Sequence, residues 1–417
     1  MLGQQVVTIS RRGADRLRSG HVWVYRSDVV EAGAVPPGAL VTVKESPAQH
    51  ASGKSKKQEL RSADRWEKNI RATRPQRVLG SALYSSASEI AVRMISAKLV
   101  GDLEQLVRER IRNAIVYRER LVENTNAYRV VFSEGDFLPG LIVDRYNDIL
   151  SLQVLTQAMD RDSMRSVFLS ELQDALNPAA VVERVEARVR RLEQLPDRQT
   201  GLIFGTNDRT EFKMNGVRFF FDALAGQKTG AFLDQRENYA AAARYARGEA
   251  LDVFCYQGGF ALHLTRAGAK VTGVDSSRPA LEAAEQNAAL NRCEIEWIEG
   301  NAFDLLRDYS DSGKKYDYIV LDPPAFAKSR RDLPTALRGY KELNLRALKM
   351  LRPEGILLTC SCYHVGASDL LEVVSSAAQD SHRIIRILES RRQAKDHPSV
   401  LGIPETAYLR CLILAVS

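Results

Sequence analysis

Hydrophobic and polar positions follow three successive patterns along the chain. The first part carries short β-rich runs, VVTIS, HVWVYRSDVV, ALVTVKE and VLGSALYSSASEIAVRMI, separated by Gly and Pro turns. Runs of this kind between turn residues predict strands. From Asp102 to Asn124 the period changes: Leu103, Leu106, Val107, Ile111, Ile115 and Leu121 recur at helical spacing with Arg and Glu between them. A hairpin follows in YRVVFSEGDFLPGLIVDRYNDILSLQVL, with turns at EGDFLPG and RYND, then a helix over roughly Met159 to Leu176. AVVERVEARVRRLE reads as a strand running into a charged turn or short helix. From about Glu211 strands and helices alternate. ALDVFCY, KVTGVD, IEWIEG, YDYIVLD and GILLTCSC are strand-like, with helices between them, notably Pro279 to Asn291 and Leu337 to Met350. Such alternation implies a mainly parallel sheet with helices on both faces.

The chain is therefore α/β with three expected domains: a β domain over 1–97, a small α+β domain over 98–210, and a doubly wound domain over 211–417. Its 417 residues agree with that number at roughly 100–200 residues per domain. Apolar residues make up 45% and charged residues 27%, which excludes a disordered, collagen-like or disulfide-dense chain. No apolar run approaches the roughly 18 residues of a membrane span. The opening MLGQQVVTISRR lacks the apolar centre of a secretory signal. Five scattered cysteines do not suggest a disulfide framework. A reducing cytoplasm is the expected compartment, with no membrane partner. The formal net charge is +7, and nearly all of it sits in one stretch. Between Ser46 and Arg77, nine Lys and Arg face three acids. This is a basic insertion in a β-hairpin with one helical turn about Trp66. It is either a solvated loop or an electrostatic arm for nucleic acid.

Candidate chemistry gathers at the strand ends of the last domain. ALDVFCY runs into QGGF and a helix, so Gly258 and Gly259 form a turn that lets backbone approach a cofactor. The next strand ends in Asp275, placed to accept hydrogen bonds from ribose hydroxyls. The spacing is not G-x-G-x-x-G, which disfavours a dinucleotide. S-adenosylmethionine, an adenosine without phosphate, suits the arrangement. Asn301 stands where an acceptor for the adenine amino group falls. YDYIVLDPPAF leaves Asp322 facing the crevice before two prolines that stiffen the loop; Asp-Pro-Pro after an apolar strand marks methyltransferases acting on nucleic-acid bases. Cys360 and Cys362 lie on one strand face. They are either small core side chains or, for Cys362 at the crevice mouth, a nucleophile that adds to cytosine C6 and activates C5.

These motifs resemble the bacterial 23S rRNA cytosine-C5 methyltransferases that carry an N-terminal PUA domain. The resemblance spans almost the whole chain. It rests on HVWVYRSDV and YSSASEIAVR in the first domain, and EGDFLPGLIVDRY in the second. In the third it rests on GQKTGAFLDQREN (Gly226 to Asn238), DVFCYQGGFALHLTRAGA, VDSS, DPPAF and TCSC. It implies a PUA β-barrel that binds RNA, a central α+β domain, and a Rossmann-like class I methyltransferase domain. S-adenosylmethionine is the implied cofactor, 23S rRNA the partner, and a homodimer the implied assembly. Gln235, Arg236, Phe254, Tyr256, Gly258, Asp275, Ser276, Asn301 and Asp322 would line the cofactor pocket. Cys362 would be the nucleophile, and Asp322 would contact the cytosine edge near N3. The chain departs from the family in the Ser46–Arg77 insertion, in Asn301 where Asp is usual, and in Tyr363-His364 after the cysteine. Two further readings stand beside this one: methylation of a guanine or adenine nitrogen, with Cys362 in the core, and an RNA-binding or assembly protein without turnover.

Overall fold

The computed structural model describes residues 5–47, 77–224, 230–327, 330–362 and 365–417. The basic insertion with its turn about Trp66 lies almost wholly outside the described residues, as do 226–229 and the Tyr363-His364 pair.

In the first domain, strands β1 (Val6–Ile9), β2 (Trp23–Tyr25), β3 (Val29–Glu31), β4 (Leu40–Glu45), β5 (Val78–Tyr84) and β6 (Ile90–Ser96) form one sheet in the order β2-β6-β5-β4-β1-β3. HVWVYRSDVV, expected as a single strand, breaks at a 3-10 turn over Arg26–Asp28 into β2 and β3. These hold opposite edges of the sheet, although three residues span only roughly 10 Å. The sheet must therefore curl into a barrel. A helix over Arg11–Arg18 was not expected, because RRGADRLR has almost no apolar stripe. Polar contacts organise it instead. Ser10 caps it by accepting the Gly13 N–H, and the buried Asp28 carboxylate receives Arg12 at 2.6 Å and Arg16 at 3.0 Å.

The second domain is a five-stranded sheet, β7 (Ala127–Phe132), β8 (Leu141–Tyr146), β9 (Ile149–Val154), β10 (Ala180–Glu183) and β11 (Gly201–Phe204), in the order β11-β10-β9-β8-β7. Helices Leu103–Leu121 and Asp162–Leu176 cover one face through Val107, Ile111, Ile115 and Phe168. The other face, with Tyr146, Ile149 and Val182, shares a core with the third domain. The hairpin β12 (Arg209–Met214) and β13 (Val217–Asp222) is the wedge between them; Phe221 stacks on Tyr146 at 4.0 Å between ring centres.

The third domain holds β14 (Glu249–Val253), β15 (Lys270–Asp275), β16 (Glu296–Glu299), β17 (Tyr316–Leu321), β18 (Leu351–Cys362), β19 (Ile385–Arg391) and β20 (Leu409–Val416). Their order is β16-β15-β14-β17-β18-β20-β19. β14 to β18 are parallel, and β20 is inserted antiparallel between β18 and β19. The connection from β19 to β20 reaches all three domains. His21 of the barrel meets Glu405 at 3.1 Å, and the backbones of Gly20 and Gly402 touch too closely for any side chain. Asp396, fully buried, accepts both outer nitrogens of Arg236 (2.9 and 3.0 Å) and the Arg129 N–H (2.8 Å), while its carbonyl accepts Arg118 (2.7 Å). Burial would raise the Asp396 carboxyl. The neighbouring His397 and Arg236 outweigh it and hold the group well below the usual carboxylate range.

Removing one partner of a buried pair strands the other, so Asp396→Ala should destabilise the protein by about 3–5 kcal/mol in urea unfolding. Glu285→Ala, which opens the exposed Arg278 pair, should cost no more than about 1 kcal/mol. Because the Asp396 carboxyl is depressed, its contribution is full above the ordinary aspartate pKa of about 3.9. It should fade as pH falls through the lower native value. The Asp396→Ala variant should therefore lose part of the wild-type acid sensitivity below that pH.

Candidate active site

The crevice lies at the carboxyl ends of β15, β14, β17 and β18, four adjacent strands. β14 leads into a turn in which Phe254, Tyr256 and Gly258 all have positive φ (67°, 49° and 83°). Two non-glycine residues in that region store strain that the surroundings must hold. Asp275 holds it from β15: one carboxylate oxygen accepts the Tyr256 N–H and the other the Ser277 N–H, each at 2.9 Å. Tyr256 also ties back to the Gly230 carbonyl through its hydroxyl. Ser276 is exposed beside Asp275. The two glycines have a reason different from the expected one. A Cβ at Gly258 would meet the Trp297 ring at 2.9 Å, and one at Gly259 the Tyr239 ring at 2.5 Å. The protein's own rings demand these glycines, whatever approaches from the crevice.

Three carboxyl groups converge here. Asp252, buried inside β14, accepts the Ala261 N–H through Oδ2, while Oδ1 has no partner among the described residues. Burial, then the charges of Asp322 and Asp275, raise it to about 8. Asp322 is raised to about 7, first by burial and then by the charge of Asp234. Gln235 donates to both Asp322 oxygens at 3.0 Å. The parallel register sets Leu321 beside Thr359, so the next residues, Asp322 and Cys360, are neighbours. The Cys360 thiol hydrogen-bonds the carboxylate and is itself fully buried against Cys411. Cys362 stands two residues further up the strand, roughly 7 Å on, and is only partly buried. An aromatic wall of Phe254, Phe326 and Phe303 closes one side, with ring centres 6.4 and 5.8 Å apart.

Two expected pocket residues point elsewhere. Arg236 is buried against Asp396 with both outer nitrogens taken, so its guanidinium serves the domain junction rather than the crevice. Asn301 caps helix Ala302–Asp311: its Oδ1 accepts the Phe303 N–H at 2.9 Å and the Asp304 N–H at 3.4 Å. The oxygen expected to receive an adenine amino group is thus engaged, and what the side chain turns outward is its NH2. Asp252, Asn238 and Phe326 were not singled out from the sequence. The signal for Asp252 was present as a lone charge inside an apolar strand, and Phe326 closes the DPPAF motif.

An acid-lined cleft with an unpartnered buried carboxylate oxygen suits a ligand that carries positive charge and N–H donors. The S-adenosylmethionine-dependent methyltransferase family matches residues 149–408, and a PUA-like domain matches 7–50. Ribosomal RNA large subunit methyltransferase I of Tolumonas auensis is 41% identical over 349 residues, covering 81% of this chain and 87% of its own. The protein of the same name from Aeromonas hydrophila is 38% identical over 349 residues, with the same two coverages. The chain belongs to this methyltransferase family. Two solved structures share its fold from end to end. A methyltransferase from Streptococcus mutans gives a TM-score of 0.77 at 16% identity, covering 99% of this chain and 100% of its own. SMU.776, solved with S-adenosylhomocysteine, gives 0.79 at 16% identity with the same coverages.

The enzyme is S-adenosylmethionine-dependent. Asp275→Ala should weaken cofactor binding by calorimetry on the order of 10- to 100-fold, at roughly 1.5–3 kcal/mol for hydrogen bonds to a charged group; Asp275→Asn, which keeps one acceptor, should lose less. Asn301→Asp should do the opposite. One oxygen keeps the cap and the second becomes free to accept the adenine amino group, tightening binding by about 0.5–1.5 kcal/mol.

Proposed function

We propose that this chain methylates C5 of a cytosine in 23S rRNA within the cytoplasm, through a covalent adduct between Cys362 and cytosine C6. The observation that carries this reading is the division among three neighbouring thiols. Cys360 and Cys411 are fully buried, whereas Cys362 is partly exposed where β18 ends, beside the strand that runs into Asp322. A nucleophile must reach its substrate, and only the thiol at the mouth of the crevice can.

Cytosine C5 is too weakly nucleophilic to take a methyl group directly. Addition of the Cys362 thiolate at C6 makes C5 enamine-like. Asp322, raised to about 7, can hold a proton at neutral pH and deliver it to N3 as negative charge develops there. Asp275 would hold the ribose and Asp252 the positively charged end of S-adenosylmethionine, which would supply the electrophilic methyl group. C5 would take the methyl group, leaving S-adenosylhomocysteine; transfer of the C5 proton to a water molecule, return of the N3 proton to Asp322 and expulsion of the Cys362 thiolate then restore the ring. The PUA-like domain supplies the RNA grip, and the names of the relatives supply the ribosomal substrate.

Nucleoside mass spectrometry of 23S rRNA, incubated with protein and methyl-labelled cofactor, tests the reading. Labelled 5-methylcytidine is expected. Labelled methylguanosine or methyladenosine would return Cys362 to the core. Cys362→Ala should lose methyl transfer by at least about 10³-fold while cofactor affinity stays within about twofold. Retained turnover would remove the adduct. In wild type, kcat should fall on the alkaline side as pH rises through about 7, because the protonated Asp322 is the acid.

A further inference from the structure

Behind Asp322 runs a chain of hydrogen bonds that ends at the edge of the sheet. Gln235 (2% exposed) donates its NH2 to both Asp322 oxygens. Its Oε1 accepts Asn238 Nδ2 at 2.6 Å. Asn238 (0% exposed) in turn accepts Arg391 Nε at 2.9 Å through Oδ1, and its amide nitrogen also donates to the Arg392 carbonyl at 3.2 Å. The direction of this chain is not open to choice. A guanidinium can only donate, so Asn238 must turn its oxygen to Arg391 and its nitrogen to Gln235. Gln235 must then turn its oxygen to Asn238 and its nitrogen to Asp322. A protonated Asp322 therefore finds no strong acceptor behind it: it meets the Gln235 NH2, and the Cys360 thiol, whose sulfur is a weak acceptor already approached by the same NH2 at 3.5 Å.

We propose that Asn238, fixed by Arg391, is a positioning residue that keeps the hydrogen-bond acceptor of Gln235 turned away from Asp322, so that the Asp322 carboxyl presents its proton to the bound base instead of to the protein. The proposal rests on the reading of Asp322 as the acid that serves N3. The proton passes from the Asp322 carboxyl to N3 as the Cys362–C6 bond forms, and returns when that bond breaks. As the bond forms, Cys362 loses its thiolate charge and Asp322 takes up a carboxylate charge; both changes reverse when it breaks. The groups that face Asp322 are Asp234 and Gln235 from the turn before helix Arg236–Ala243, Tyr239 from that helix, Asp252 from β14, Cys360 from β18, and Tyr340 from helix Leu333–Met350. Among these, Gln235 is the one amide, and it is hydrogen-bonded directly to both Asp322 oxygens, so a half-turn of its side chain would exchange the donor it offers them for a strong acceptor.

Asn238→Asp tests this in the full-length protein with 23S rRNA and labelled cofactor. A carboxylate at 238, still paired with Arg391, can only accept, so Gln235 must rotate its NH2 toward it and its oxygen toward Asp322. The Asp322 proton is then held internally. The expected result is a fall in kcat on the order of 10- to 100-fold and an alkaline limb displaced upward by about one pH unit, with cofactor affinity and the RNA KM within about twofold of wild type. Arg391→Gln, at a less buried position, releases the same constraint without adding a buried charge. It should move the limb in the same direction by less, and it carries the test if Asn238→Asp does not fold. An unmoved limb in both variants would overturn the proposal, whatever happens to kcat, because a merely structural role lowers kcat or stability without displacing the limb. Asp322→Asn separates the two levels. If it retains wild-type turnover, the acid role of Asp322 is wrong and the proposal fails with it; if it is inactive while both limbs stay put, the acid role stands and the positioning role alone is lost.

Discussion

The carboxylate of Asp396 is the contact on which the arrangement of domains and site depends. It sits between the catalytic and central domains, and four polar groups from three elements close on it or its carbonyl: Arg236, the Arg129 N–H, Arg118 and His397. A buried ion pair gains little over an apolar replacement, because desolvation offsets most of the attraction. What it does here is fix orientation. The bidentate Arg236 grip sets the start of helix Arg236–Ala243, which carries Asn238, and with it the preceding turn that carries Asp234 and Gln235. The same connection between β19 and β20 brings Tyr408 to Asp234 at 2.7 Å and the Ala394 N–H to the Asp234 carbonyl. It also brings Glu405 to His21 of the barrel. The segment that touches the PUA-like domain thus also bounds the acidic end of the crevice.

The parallel architecture was legible because hydrophobic runs of six to eight residues alternated with helical spacing, and a mainly parallel sheet follows from that rhythm. The strand-end positions of Asp275, Asp322 and Cys362 were legible because apolar runs in such a sheet end at a crevice. What failed was of a different kind. Arg236 stands next to Gln235 in one motif, yet the helical turn sends the two side chains opposite ways, one to Asp322 and one to Asp396. Adjacency in sequence does not say which way a side chain leaves the backbone. Asn301 failed because an asparagine before a helix has two competing uses, and capping two backbone N–H groups took precedence. Helix Arg11–Arg18 was missed because its partner, Asp28, lies outside the window that periodicity examines. In each case a long-range polar contact decided what local pattern could not.

The glycines carry a related lesson. Gly258 and Gly259 looked like accommodations to a ligand, yet the rings of Trp297 and Tyr239 already fill the space a Cβ would need. Trp297 also excludes a side chain at Gly273 of β15. One tryptophan on β16 therefore fixes two glycines on neighbouring elements. The tight turn after β14 follows from packing beneath it as much as from anything that binds above.

The chemistry of the crevice then reduces to how a protein keeps acidic groups close together without charging all of them. Asp275 is half-buried and accepts two backbone N–H groups, Asp252 is buried and accepts one, and Asp322 accepts an amide and a thiol. Burial and mutual repulsion raise Asp252 and Asp322 together. A cationic ligand reverses part of that repulsion for Asp252, the residue with an oxygen left over, and so relieves the acids as it binds. Asp322 gains least from such a charge if its own lone pairs are already met from behind by Gln235 and Cys360. It remains the group nearest neutrality with a proton to give, and it stands between the buried Cys360 and the exposed end of β18. The thiol that supports the acid and the thiol at the crevice mouth lie on one strand face, two residues apart. Their difference in exposure comes from where β18 runs out.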